Sequence, residues 1–420
     1  MLNLFQLVLQ IAVILVAARV VGYLFQKIHQ PQVMGEMVAG ILLGPSLLGW
    51  LAPGVSAALF PASSLGYLNA LSQVGLVVFM FVVGLALNPS ELHGYGHAAV
   101  LTSHVSIVAP FCLGGLTALY LYPRLSDDAV TFTGFALFMG AAMSITAFPV
   151  LARILTERGL VRSRMGTLAI ACAAVDDVTG WCILAYIVVL VRVTNASRPA
   201  WITIAGSLVY VLLMLFVVKR FLPAFERSFA RRGKLSDNLV AVVVVLVLAS
   251  ALATEWLGIH LLFGAFLMGA IMPKSQEFTR YLLHKFESVT VVLLLPLFFA
   301  FTGLRTRIGV GGGHSIWLYS LIVIAVAITG KLGGSMLAAR LAGTPWREAA
   351  SLGILMNTRG LMELVILNIG LDIGVISPVM FSIMVLMALV TTFMTTPLLE
   401  WVYPHRLLKA QVEERQENVA

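Results

Sequence analysis

Apolar runs of about twenty residues recur from one end of this chain to the other, and no other sequence feature constrains the fold as strongly. About 20 apolar residues in a helix cross a hydrocarbon core of about 30 Å. No water meets the backbone inside that layer, so each crossing segment must satisfy its own hydrogen bonds as a helix. Only 11% of the 420 residues are charged and 60% are hydrophobic, whereas soluble domains carry about 25% charged residues. The expectation is an all-α polytopic membrane protein.

The runs predict about thirteen spans, at residues 3–27, 33–48, 67–87, 98–122, 130–154, 165–191, 201–221, 239–256, 259–272, 289–302, 315–339, 349–371 and 378–401. Spans nine and ten are short. With the N-terminus outside, nineteen Lys and Arg fall in cytosolic loops and the C-terminal tail, against five on the other side. That bias supports an odd number of spans and a cytosolic C-terminus. The net charge of +8 then reads as basic loops facing anionic lipid, not as a nucleic-acid surface. The N-terminus has no basic n-region or clear cleavage site, so the first helix is expected to stay as an anchor. The location implied is a bacterial inner (plasma) membrane. Cys112, Cys172 and Cys182 all lie in apolar runs and are expected to be small buried hydrophobes.

Within span six, Ala171-Cys-Ala-Ala-Val-Asp-Asp-Val-Thr-Gly180 places Asp176 and Asp177 side by side in apolar sequence. A carboxylate at mid-bilayer costs roughly 2.5–3.5 kcal/mol on insertion scales, and packing alone calls for neither. Neighbouring helical positions are about 100° apart, so the two cannot play the same part. Lys331, mid-way along span eleven, needs a counter-ion, and either aspartate qualifies. One acid can hold the lysine while the other faces an ion path, exchanging a proton for a cation. Sodium and potassium are hard cations suited to carboxylate, hydroxyl and carbonyl oxygens. No cofactor is expected, only transported Na+ or K+ and H+.

Two spans are interrupted. Span five contains Ser144-Ile-Thr-Ala-Phe-Pro149, where Pro149 removes a backbone donor and Ser144 and Thr146 offer oxygens. Span twelve contains Met356-Asn-Thr-Arg-Gly360, again mid-span. Spans seven apart in a chain of thirteen run in opposite senses, as two inverted six-helix repeats joined by a linker helix require. Paired broken helices of that kind point to a transporter site near the midplane. The division expected is a membrane domain over 1–404, with a first repeat at about 1–195, a linker helix at about 200–222 and a second repeat at about 236–402. A short cytosolic tail, 405–420, follows.

Other polar residues read as structural or gating groups. Arg359 and Glu363 are spaced i, i+4 and suit an intrahelical pair, beside Asn357. Glu36 is expected to be half-exposed at the cytosolic mouth of span two, and Glu255 to be interfacial. Arg19 suits packing or a dimer contact, and His104 a helix contact. Gly311-Gly-Gly313 reads as a loop without the lysine of a phosphate-binding motif.

The chain resembles the transmembrane domain of the monovalent cation:proton antiporter-2 family, which includes Kef-type, Nap-type and plant exchangers. The resemblance rests on Gly35-Glu-Met-Val-Ala-Gly-Ile-Leu-Leu-Gly-Pro45, Ser144-Ile-Thr-Ala-Phe-Pro-Val-Leu-Ala-Arg153, Ala174-Val-Asp-Asp-Val-Thr179, Ile259-His-Leu-Leu-Phe-Gly-Ala-Phe266 and Gly353-Ile-Leu-Met-Asn-Thr-Arg-Gly-Leu-Met-Glu363. It implies an NhaA-like antiporter fold with crossed broken helices, a homodimer scaffold and a core moving like an elevator. By motif, Asp177 matches the main ion-binding acid, Asp176 the partner of Lys331, and Thr146 a ligand donor. Glutathione-gated Kef-type proteins usually carry a Gln-Asp pair and a nucleotide-binding domain. The Asp-Asp pair and short tail here instead suggest electrogenic exchange without such gating. The Met-Asn-Thr-Arg-Gly-Leu-Met-Glu motif is similar to that of potassium-handling members, so both cations stay open. A sodium-coupled symporter would need an organic-substrate cavity. An intramembrane aspartyl protease would need its aspartates on facing helices.

Overall fold

The computed structural model describes residues 4–86, 97–127, 130–158, 160, 163–195, 200–308 and 314–403. The glycine triplet 311–313 and the tail 405–420 lie outside the described residues. Among the described residues, ten helices are long and apolar enough to cross a membrane, or eleven if one bent pair counts as a span.

In chain order the helices are α1 (Leu4–Lys27), α2 (Gln32–Leu51, with a turn at 44–47), α3 (Ala62–Ala86), α4 (His97–Leu125), α5 (Phe132–Ser144) and α6 (Phe148–Glu157). Then come α7 (Arg164–Asn195), α8 (Ala205–Arg231), α9 (Asp237–Trp256), α10 (Leu261–Ile271) and α11 (Gln276–Arg305). The last four are α12 (Ser315–Leu341), α13 (Trp346–Met356), α14 (Leu361–Asp372) and α15 (Pro378–Val402). The predicted fifth and ninth spans contain the shorter apolar helices α5 and α10. At 13 and 11 residues, these reach only about 20 and 16 Å. Span ten, read as short, is instead the last part of the 30-residue α11. Its amphipathic beginning hides the extension from a search for apolar runs.

Helix ends follow local chemistry. The Thr131 hydroxyl accepts the Gly134 N–H at 3.2 Å and starts α5. Ser377 does the same for Met380 at 3.3 Å, with Pro378 at the first helical position, where its missing donor costs nothing. Glu255 has a capping role, not a merely interfacial one: its carboxylate accepts the Leu261 N–H at 3.0 Å at the start of α10.

The chain divides into two compact units. Among the described residues, those within 1–18, 39–91 and 185–304 form one, and those within 19–38, 92–184 and 305–420 form the other. Each draws on both halves of the sequence. In the first, helices approach through glycine. A Cβ on Gly40 would lie 2.3 Å from the Phe299 carbonyl oxygen, and one on Gly84 only 2.1 Å from that of Phe266. Small residues let membrane helices pack this closely. Lys274 fastens the second contact, donating to the Gly84 and Leu85 carbonyls at 2.9 Å each and to Gly269 at 3.1 Å. Burial, with the charge of Lys219 adding to it, holds that ammonium down to about 8.

In the second unit, every residue from Ser351 to Gly370 is buried, so α13 and α14 form its centre. A cluster including Leu151, Leu155, Ala169, Cys172, Leu352 and Leu355 packs around them. Apolar side chains on the outside, among them Phe5, Val16, Leu116 and Trp401, suit contact with lipid. Only one of the three cysteines follows the expectation: Cys172 is buried, but Cys112 and Cys182 are exposed. An apolar run sets depth in the membrane, not which side of a helix faces lipid. His104 is likewise exposed.

Candidate functional site

Both interruptions appear where the sequence places them, and they touch. The first leaves residues 145–147 outside helix between α5 and α6; the second leaves 357–360 between α13 and α14, which are bent by 42°. The Ala147 N–H donates to the Thr358 carbonyl at 2.9 Å, and the Thr146 hydroxyl lies 3.0 Å from the Met356 carbonyl. Broken helices expose unsatisfied backbone groups, and each break supplies partners for the other. Gly360 fits the crossing because a Cβ there would sit 2.8 Å from a Val150 methyl.

Asp176 and Lys331 are fully buried and 2.6 Å apart. Ser106 donates to Asp176 at 2.9 Å, Ser103 lies 3.3 Å away, and the Thr146 hydroxyl is 2.8 Å from Oδ2. The ammonium has three donors. One meets Asp176, one the Ser106 carbonyl at 2.9 Å and one the Ser144 carbonyl. Lys331 itself sits in a π-helical turn, Thr329–Gly333, a local widening often found at functional positions.

Asp177 differs sharply. It is 2% exposed, its Oδ1 has no partner among the described residues, and the backbone N–H of Phe148 donates to its carboxylate. Phe148 is the first residue of α6, so the positive end of that half-helix faces the acid.

Arg359 and Glu363 pair at 2.9 Å, but not within one helix as the spacing suggested. Arg359 lies in the break and only Glu363 belongs to α14. The guanidinium also donates to the Ala142 carbonyl at 2.8 Å and to that of Met143. Arg359 and Lys331 thus cap three consecutive carbonyls at the C-terminal end of α5, where the helix dipole favours cations. Ser144 enters the site through its carbonyl; its hydroxyl donates back to Ala141 at 2.8 Å. Asn357 and Thr358 are buried, each with a side-chain oxygen that has no partner among the described residues.

Glu36 is not half-exposed. It is 3% exposed, 3.5 Å from Arg19 and bonded to Gln32 at 3.1 Å. It lies four residues into α2, on the face turned inward. Ser103 and Ser106 were missed by sequence reading. Their i, i+3 spacing in an apolar span was the available signal, although hydroxyls in membrane helices commonly bond their own backbone. Among the described residues no group of three His, Cys, Asp or Glu is placed to hold a metal ion.

A sodium/hydrogen exchanger transmembrane family model matches residues 13–401. The chain belongs to the sodium/hydrogen exchanger family. Members of this family are integral membrane antiporters, not enzymes. This exchanger-family chain is 45% identical over 395 residues to the Na(+)/H(+) antiporter NhaS4 of Synechocystis, covering 94% of this chain and 96% of that one. It is 40% identical over 412 residues to cation/H(+) antiporter 17 of Arabidopsis thaliana, covering 97% of this chain but only 50% of the plant protein. The fold is similar to that of the sodium proton antiporter MjNhaP1 from Methanocaldococcus jannaschii. The TM-score is 0.64 at 15% identity, over 96% of this chain and 98% of that one.

Proposed function

We propose that the protein exchanges Na+ and/or K+ for protons, with Asp177 as the group the two ions compete for. The observation that carries this reading is the unequal treatment of two adjacent acids. Asp176 faces a lysine and three hydroxyls, whereas Asp177 keeps a buried oxygen without a partner among the described residues. A helix N-terminus contributes about 0.3–2 kcal/mol to a nearby anion. That does not offset the roughly 2.5–3.5 kcal/mol of a carboxylate at mid-membrane. A proton or a monovalent cation on Asp177 removes the deficit, and the two exclude each other. The hydroxyl of Thr146 and carbonyls released at the breaks are the further oxygens available to a hard cation.

In this mechanism the entering cation draws Asp176 away from Lys331, the unpaired lysine gives up a second proton, and the pair re-forms when the cation leaves. Two protons then exchange for one cation, which makes exchange electrogenic. Each unbalanced charge moved against 100 mV is worth about 2.3 kcal/mol. All of the site residues fall in one compact unit, which suits an elevator that carries its site through the membrane. The full arrangement proposed is thirteen crossings, counting α5 with α6, α10 and the α13–α14 pair. They form two inverted repeats in a homodimer, with the N-terminus outside and the C-terminus cytosolic. Asp177→Asn in everted vesicles, followed with a pH-gradient dye, tests the assignment. Loss of dequenching by both sodium and potassium is the expected result, and normal dequenching would sink it.

A further inference from the structure

In the compact unit that does not hold the aspartates, the sequence-distant helical stretches Pro223–Arg232 and Gln276–Val289 wall a cleft of about 530 Å³. We propose that this cleft binds the phosphate of an anionic phospholipid headgroup. Its rim carries Arg280, His284 and Lys285, all exposed. None of the three makes a hydrogen bond or ion pair with the described residues. Arg280 and His284 stand one turn apart on a single helix face, and a guanidinium fork matches phosphate oxygens in two places at once. Three donors without a partner among the described residues, all lining one cleft, are more than solubility requires.

The floor is aromatic and fixed. The Phe229 ring lies 5.2 Å from that of Tyr281 and 5.8 Å from that of Phe278, and the Tyr281 hydroxyl reaches the Leu235 carbonyl at 3.4 Å. Such a floor suits the glycerol portion of a lipid. Glu277 also lines the cleft, and it separates two sources of phosphate. A headgroup with hydroxyls can donate to this carboxylate from outside its singly charged phosphodiester, whereas inorganic phosphate must bring one to two negative charges of its own up against it.

Depth points to lipid as well. The cleft is built on the first ten residues of α11, a helix of 30 residues. That helix is about 45 Å long, roughly 15 Å more than the hydrocarbon core. Val289, 56% exposed and apolar, marks where the core begins, which leaves His284 and Lys285 about 6–8 Å beyond it. That is the headgroup layer. The orientation proposed above decides only which leaflet supplies the lipid.

Native mass spectrometry of the detergent-purified full chain tests the site without measuring transport, so its failure is separable from failure of the antiport reading. The probes are phosphatidylglycerol, phosphatidylcholine and inorganic phosphate. Arg280→Gln with Lys285→Gln should weaken phosphatidylglycerol binding by about tenfold or more. Phosphatidylcholine binding should not change, and millimolar phosphate should not compete. Arg340→Gln, at an exposed arginine on α12, should bind like the parent. Unchanged phosphatidylglycerol affinity in the double variant, equal losses for both lipids, or competition by phosphate would each overturn the proposal.

Discussion

Two buried ion pairs hold the same helix end, and they do so differently. Arg359 and Glu363 are near neighbours in sequence; Lys331 and Asp176 are joined across 155 positions. Arg359 spreads its charge over two carbonyls of α5 and one carboxylate, and its own backbone N–H and carbonyl are both bonded to the Thr392 hydroxyl, at 2.9 and 2.8 Å. It cannot move without stripping the end of α5. Lys331 is a point charge on a flexible stem, and its partner Asp176 keeps hydroxyl donors of its own. The first pair reads as a fixed brace and the second as a contact that can open, although both are sealed from water.

The brace is expected to be indispensable. Arg359→Ala leaves Glu363 buried without its charge and two α5 carbonyls without donors, a loss of about 3–5 kcal/mol. The expected result is little or no folded protein in fluorescence-detected size exclusion, with Arg359→Lys in between. Lys331→Gln should be milder, because Ser103, Ser106 and Thr146 still face Asp176. That variant should fold and exchange ions while losing sensitivity to membrane voltage; full electrogenic exchange would refute a switching role for the lysine. Ser106→Ala should be smallest. It removes one hydrogen bond to a charged group, about 1.5 kcal/mol, and should lower the apparent Tm slightly with exchange retained.

Much of the site was legible because charge in apolar sequence is costly and therefore conspicuous. Asp176, Asp177 and Lys331 stand out for that reason, and the breaks announce themselves through Pro149 and the Asn357–Gly360 run. Contacts made by ordinary groups were not legible. The Ala142 and Met143 carbonyls look like those of any helix until Arg359 arrives from more than 200 residues away. Ser103 and Ser106 resemble hydroxyls that bond their own backbone, as Ser106 also does. Glu36 was misplaced because distance from a helix start says nothing about which face turns inward. The length of α11 was hidden because its first half alternates charge with apolar residues.

Proton release from purified protein on cation addition tests most directly whether Asp177 is the group that cation and proton contest. In weakly buffered detergent solution, sodium or potassium should release protons from the parent chain and from Ser106→Ala, and none from Asp177→Asn. Proton release from Asp177→Asn equal to that of the parent would contradict the division of labour between the two aspartates.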